Sequence, residues 1–210
     1  MRKFLTIFSV CAIAFQLTSC KSEAKKEEAA PAVPATTEKA APYSLKNAKN
    51  AVEFTAYKTT AKVPVKGIFK KIEVINGGEG NSVKEAINGA EFKIPVSGIE
   101  TKDASRNFKI QKFFFGVMDN TISLTGKLLI DNDSIGTAEL TMNGVTQKLP
   151  FSYTIQDKVF TMNTTMDVLK WNAQSAVDSL NVACKDLHKG EDGVSKTWSE
   201  VAINAVSTFE

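Results

Sequence analysis

His188 is the only histidine in the chain, and Cys184 stands four residues before it. On a helix that spacing puts a thiol and an imidazole on one face, as in part of a metal site or an activated Cys–His pair. Two ligands do not complete a zinc site, and Asp186 falls on another side of such a helix. Cys184 lies in an apolar stripe with Val177, Leu180 and Leu187, which suits a buried, inert thiol. His188 follows at a charged end beside Lys189, where the helix dipole favours a cation. No apolar cleft surrounds it in sequence, so a Ser–His–Asp arrangement is disfavoured. Asp131, Asp133, Glu191 and Asp192 stand in turn sequences, where carboxylates serve the backbone. No glycine-rich phosphate loop is present. These residues point away from an enzyme and from any metal or other cofactor.

The helix that would carry Cys184 and His188 is expected over residues 173–189, with Gly190 as its C′ glycine. The strongest local signal lies elsewhere, at Asn143-Gly144, between two runs of alternating hydrophobicity at residues 136–142 and 145–155. Both central residues of a type I′ turn need φ > 0, and Asn-Gly supplies this with little strain. The two-residue turn sets Met142 opposite Val145, Thr141 opposite Thr146, Leu140 opposite Gln147, Glu139 opposite Lys148 and Ala138 opposite Leu149. One face then carries Ala138, Leu140, Met142, Val145, Leu149, Phe151 and Tyr153. The other carries threonines and the Glu139–Lys148 pair, as a wet outer face does.

The neighbouring segments repeat this theme. Val52, Phe54 and Ala56 alternate with polar residues. Residues 63–75 form a longer extended run whose stripe changes face, so a bend or bulge is expected near residues 67–71. A turn cluster at residues 76–80 precedes a short helix at residues 82–87. Ala90, Phe92, Ile94 and Val96 mark a strand in which Pro95 belongs at an edge or bulge. Residues 104–118 read as an amphipathic helix with a heavy aromatic face, either a core plug or the wall of an apolar tunnel. Residues 121–130 form a strand with Ile122, Leu124, Leu128 and Ile130 on one side. Residues 159–166 form another, with Phe160, Met162 and Met166 together, and Val201, Ile203 and Ala205 alternate in a last strand. About eight strands joined mostly by short turns, with helical insertions, predict an all-β fold, a closed antiparallel lipocalin-like barrel.

The N-terminus has a different character. Met1-Arg2-Lys3 precedes an apolar run at residues 4–15, too short to span a bilayer and of the size of a signal-peptide core. Leu17-Thr18-Ser19-Cys20 follows and resembles the bacterial lipobox, which implies a leader at residues 1–19 and an acylated Cys20; an ordinary signal peptide with a chance cysteine is the alternative. Residues 20–42 hold the lipidated N-terminus and a tether with no aromatic residue up to position 42 and four Lys balanced by four Glu, hence no polybasic patch. As a coil of about 22 residues it would set the domain on the order of 25 Å from a membrane. Residues 43–210 are long enough for one domain with its own core. Loss of Arg2 and Lys3 takes the formal net charge from +3 to +1, and no long basic stretch invites nucleic acid. With Cys11 removed and Cys20 acylated, Cys184 has no disulfide partner within the chain.

Three short motifs, in order, carry a resemblance. Val65-Lys66-Gly67-Ile68-Phe69 is similar to the early Gly-x-Phe strand of the YceI-like family. Val96-Ser97-Gly98-Ile99-Glu100-Thr101, followed by Arg106 through Phe115, resembles its strand ending in Ser-Ile-x-Thr and its Arg-, Asn- and Phe-rich helix. Residues 136–146 are similar to its Gly-x-Leu-Thr-x-x-Gly-Val-Thr ribbon. Two features depart from the pattern: the segment around Cys184 and His188 is longer, and Arg106-Asn107-Phe108 stands where an Arg-Asp is usually followed by His-Leu. The resemblance implies a lipocalin-like barrel that binds a polyisoprenoid or isoprenoid quinone in the bacterial envelope; together with the lipobox at Cys20, it leads to the expectation of a lipid-anchored protein at the outer membrane, facing the periplasm or the cell surface. The inward stripes would then line the cavity: Phe54 and Phe69; Phe92 and Ile94; Phe108, Phe113 and Phe114; Leu124 and Leu128; Leu140, Met142, Phe151 and Tyr153; Phe160 and Met162. A solid-core barrel acting as an adhesion or assembly module is the second reading, and a metal-dependent enzyme a distant third.

The anchor has its own test. Cys20→Ala is expected to release the protein from membranes or to leave the precursor uncleaved, as membrane fractionation would report. A cleaved variant still pelleting with membranes would overturn the lipobox reading.

Overall fold

The computed structural model describes residues 41–210. The leader, Cys20 and the tether as far as residue 40 lie outside the described residues. The main sheet has ten strands, β2 (Lys49–Lys58), β3 (Val63–Phe69), β4 (Glu73–Asn76), β6 (Glu91–Pro95), β7 (Ile99–Glu100), β8 (Ser123–Ile130), β9 (Ile135–Met142), β10 (Val145–Gln156), β11 (Val159–Asp167) and β12 (Thr197–Thr208). Their order is β4-β6-β8-β9-β10-β11-β12-β2-β3-β7, and every pairing is antiparallel. A separate two-stranded sheet pairs β1 (Tyr43–Ser44) with β5 (Glu79–Gly80).

The sheet curls, but the expected closed barrel of about eight strands is not what forms. Among the described residues no ladder joins the edge strands β4 and β7. The reason lies in the bend expected near residues 67–71. Past Phe69 the Lys70 N–H donates to the Gly98 carbonyl (2.9 Å), on the β7 side, and the chain then turns into β4, which pairs with β6. The covalent chain, not a hydrogen-bonded ladder, spans the gap. Pro95 ends β6, beyond the last rung that β4 makes at Lys93, so its missing N–H removes no bond there.

The hairpin β9–β10 has the register its turn dictates, with Met142 opposite Val145, Leu140 opposite Gln147 and Ala138 opposite Leu149. Asn143 and Gly144 take φ values of 52° and 68°. Ala138, Leu140, Met142, Leu149, Phe151 and Tyr153 are buried, and the Thr141 and Thr146 hydroxyls meet outside at 2.6 Å. Ile122, by contrast, lies before β8 and is 84% exposed, so the expected strand starts two residues late.

Each end of the curled sheet is capped differently. At one end α1 (Val83–Ile87) buries Val83, Ala86 and Ile87; Ser82 caps it by accepting from the Glu85 N–H at 3.2 Å. At the other end lie α2 (Ala104–Phe113), α3 (Gln174–Ala183) and a 3₁₀ turn at Val168–Trp171. Trp171 is fully buried, and its indole N–H donates to the Leu140 carbonyl at 2.9 Å.

Three aromatic residues on the inner face have glycine as their cross-strand partner: Phe54 with Gly67, Phe92 with Gly126 and Phe151 with Gly136. In each pair the ring occupies the space that a Cβ would take. At Gly126 an added Cβ would stand 2.6 Å from the Phe92 ring and 2.5 Å from the Glu139 carbonyl, a backbone atom that cannot swing aside. Gly126→Ala is therefore expected to cost about 1–3 kcal/mol, read as a lowered denaturant midpoint. An unchanged midpoint would show that β8 and β9 separate freely there.

Candidate functional site

Inward side chains do not fill the curled sheet. A deep cavity of about 130 Å³ is walled by residues of nearly every strand, among them Phe69, Val74, Phe92, Leu128, Leu149 and Phe160. A second, of about 110 Å³, lies toward α2 and α3 and adds Ile110, Phe114, Phe115, Val168 and Leu180. The two share Phe69, Leu124, Leu140, Met166 and Ile203 as walls. Alternation along each strand sends apolar side chains inward, so both walls are almost wholly carbon. A third cavity, of about 360 Å³, shares Phe54, Ala56, Ile110, Leu180 and Thr197 with the second. Its other walls include Lys58, Asp103, Ser105, Arg106, Lys109, Cys184 and His188. The row thus runs from an apolar interior to a polar mouth.

The residues expected to line the interior separate into three groups. Phe54, Phe69, Phe92, Ile94, Phe114, Leu124, Leu128, Leu140, Met142, Phe160 and Met162 stand in the walls of these cavities. Phe151 and Tyr153 are buried but line none of the three; their rings pack on each other and on Phe160 at centroid distances of 5.4–6.4 Å. The Tyr153 hydroxyl donates to the Asn132 carbonyl at 2.6 Å, which fixes this wall to the β8–β9 turn. Phe108 and Phe113 are misplaced by the sequence reading. They pack edge-to-face at 6.5 Å away from the cavities, under the Lys112 ammonium, and Phe108 is 55% exposed. The aromatic run does not form one face because α2 stops at Phe113 and a 3₁₀ turn follows at Phe115–Val117. That change of winding turns Phe114 and Phe115 inward. Leu45, Val168 and Trp171 were missed, because single apolar residues in short irregular segments carry no period.

Asn107, in the motif Arg106-Asn107-Phe108, is a joint. Its Oδ1 accepts from the Thr101 N–H and hydroxyl at 2.8 and 2.7 Å, and its amide donates to Glu100 at 3.1 Å. Glu100 also pairs with Lys70 at 2.7 Å. Hydrogen bonds from Lys70, Asn107 and the Lys102 N–H hold its carboxyl down at about 2. The start of α2, and with it Arg106 and Ile110, is thereby fixed to β7.

The helix expected at residues 173–189 ends at Ala183, with Cys184 as its cap. Gly190 is no C′ glycine; its N–H donates to Val194 in a loop beside the Lys189–Ser195 bridge. Leu187 is consequently exposed, whereas Cys184 is buried, and burial pushes its thiol pKa up. His188 is not the solvated helix-end cation that the sequence suggested. It is half-buried at the mouth, with Nδ1 2.7 Å from the Thr197 hydroxyl. Burial, then the Lys58 and Arg106 charges, depress its pKa to about 4, so the ring is neutral at pH 7. Among the described residues, no three His, Cys, Asp or Glu side chains gather as a metal would need.

The YceI-like domain matches residues 43–208 of the sequence. The chain belongs to the YceI-like family. Among solved structures, a polyisoprenoid-binding domain from Saccharophagus degradans implicated in plant cell wall breakdown superposes with a TM-score of 0.58 at 14% identity, over 81% of this chain and 98% of that one. Burkholderia cenocepacia BcnA gives a TM-score of 0.50 at 17% identity, over 75% and 94%. A Campylobacter jejuni YceI protein gives 0.50 at 18%, over 70% and 85%. No curated protein matches the sequence. At these identities the structural likeness establishes the fold.

The YceI-like mouth makes a pH prediction. His188 is held neutral, with a folded pKa of about 4 below the ordinary 6.5. As pH falls from 6.5 to 4 the unfolded chain takes up a proton that the folded chain resists, so stability declines across that window; above 6.5 this group adds no slope. The drop in melting temperature between pH 7 and pH 4.5 is therefore expected to be smaller in His188→Gln than in the parent. Equal drops would mean that the folded protein protonates His188 as readily as the unfolded one.

Proposed function

We propose that this YceI-like domain binds a long apolar lipid chain, a polyisoprenoid or the tail of an isoprenoid quinone, inside its curled sheet. The observation that carries this reading is the pair of adjoining apolar cavities inside the sheet, with Phe69, Leu124, Leu140, Met166 and Ile203 in the walls of both. Among the described residues Asn50 and Ser207 are the only polar residues in the deeper wall, too few to repay the desolvation of a strongly polar ligand. The polyisoprenoid binding of the Saccharophagus domain on the same fold supports the choice of chain. Each buried methylene contributes about 0.8 kcal/mol, so a long chain transferred from water would exceed any known affinity. The ligand instead leaves a membrane, and the protein gains little more per methylene than the bilayer loses. In this reading the domain works in the cell envelope, held by an acylated Cys20 at the outer membrane. The alternative of a solid-core adhesion or assembly module calls for a filled interior, which the cavities disfavour.

Leu140 tests the proposal, because it walls both inner cavities, whereas the next residue, Thr141, sits on the outer face. Leu140→Trp is expected to weaken binding of a fluorescent polyprenyl analogue about tenfold or more, with little change in melting temperature, since the indole enters existing space. Thr141→Trp should leave binding unchanged. In a filled core Leu140→Trp would instead cost about 1–3 kcal/mol. That loss, with no binding by the parent protein, would sink the carrier reading.

A further inference from the structure

The cavities do not account for the outer surface of the cap over the mouth. Among the described residues eleven large apolar side chains are exposed, and five of them, Phe108, Val117, Leu169, Val182 and Leu187, stand on the cap. The cap comprises α2 with the 3₁₀ turn after it (residues 104–117), and the 3₁₀ turn at Val168–Trp171, α3 and the residues that follow it (168–189). Val182 is 76% exposed on a helix whose inner face carries Val177 and Leu180. The same segments are basic. Residues 104–117 hold Arg106, Lys109 and Lys112 and no carboxylate, and residues 168–189 hold three lysines against Asp178 and Asp186. With His188 neutral, six cations against two carboxylates give the cap +4. The tether is neutral, so the domain keeps the +1 of the mature chain, and everything outside the cap carries −3. The Lys112 Nζ lies 5.4 Å from the centroids of both Phe108 and Phe113. Among the described residues Lys112, Lys170 and Lys185 have no carboxylate within salt-bridge distance. Exposed carbon beside unpaired ammonium groups suits a lipid surface, where apolar groups enter the acyl boundary and lysine heads meet phosphates.

We propose that the cap docks on an anionic bilayer surface, with Phe108 and Val182 entering the headgroup region and Lys112, Lys170 and Lys185 facing lipid phosphates. The two helices that carry Phe108 and Val182 pack against each other. The proposal deepens the chain-binding reading and rests on it for its purpose. A chain passing through water between bilayer and cavity would expose its methylenes one after another, and a mouth seated on the bilayer closes that gap. The chain outside the structure permits the contact. Twenty-two residues separate Cys20 from Tyr43, at full extension about 75 Å. From Lys49, close behind the tether, β2 runs ten residues to Lys58 in the wall of the mouth cavity, a span of about 33 Å. An acylated Cys20 therefore keeps the cap within reach of the bilayer that holds it. A second copy of the chain fits the cap poorly, because a two-fold pairing would set +4 against +4.

The test is amine footprinting of the full-length lipidated protein in vesicles of phosphatidylethanolamine and phosphatidylglycerol, and in vesicles with phosphatidylcholine in place of phosphatidylglycerol. In the anionic vesicles acylation of Lys112, Lys170 and Lys185 is expected to slow about fivefold or more relative to the neutral ones. Lys46 and Lys158, exposed at the far end of the sheet, should keep their rates. Uptake kinetics supply the second readout. Phe108 and Val182 line none of the three cavities. Phe108→Ser and Val182→Ser should each slow uptake of the fluorescent polyprenyl analogue from anionic vesicles about threefold or more, with its equilibrium affinity in detergent unchanged. Two substitutions are used so that a folding defect in one does not decide the matter. Unprotected cap lysines, or equal protection at both ends of the sheet, would overturn the proposal. So would cap protection in detergent that rises with protein concentration, since a second copy would then be the occupant. An analogue that binds while the cap stays fully labelled refutes docking alone. A protected cap on a protein that never binds the analogue refutes the chain-binding reading and leaves docking standing.

Discussion

The mouth of the domain hangs on Asn143. Its side-chain oxygen accepts from the Asp119 N–H at 2.8 Å, and its amide donates to the carbonyls of Trp171 and Asn172 at 2.9 and 3.1 Å. Its own N–H donates to the Thr121 hydroxyl at 2.8 Å. One residue thus ties the hairpin tip to the segment that leaves α2 and to the one that enters α3. The Trp171 indole adds a bond to Leu140 on the same strand, two rungs deeper. Gly in place of Asn143 would keep the turn's backbone and the N–H bond to Thr121 but would lose the side-chain bonds to Asp119, Trp171 and Asn172. The placement of both helices over the mouth follows from this junction.

An apolar interior that stays partly empty is a stability concession, because lining atoms lose dispersion contacts. Pairs of phenylalanine and glycine across adjacent strands set each ring where the glycine's Cβ would otherwise stand. The Phe151, Tyr153 and Phe160 rings pack as a solid block beside the deep cavity. Leu124, Leu140, Met166 and Ile203 stand in the walls of both inner cavities.

Polarity then changes along one path. Strand alternation makes the interior carbon-lined, and helix-borne residues make the mouth polar. Arg106, Lys109 and Cys184 come from α2 and the end of α3, while Lys58 and Thr197 come from strand ends. In the proposed reading, a lipid with its chain inside meets charge only as it emerges.

Local rules of wide reach were legible in the sequence. The Asn143-Gly144 turn imposes its register through backbone geometry alone, and with it the inward placement of Leu140 and Met142. The short helix after the turn cluster at residues 76–80 was legible, and so was the bend signalled by the change of stripe after Gly67. What depended on distant partners was not legible. Whether the sheet closes depends on where β4 and β7 find neighbours, since strand count is silent on edges. The aromatic run in α2 was split by a 3₁₀ turn that periodicity does not encode, which left Phe108 and Phe113 outside. His188 looked like a solvated cation beside Lys189. Its neutrality follows from burial and from Lys58 and Arg106, residues far away in sequence whose charges reach it only once the chain has folded.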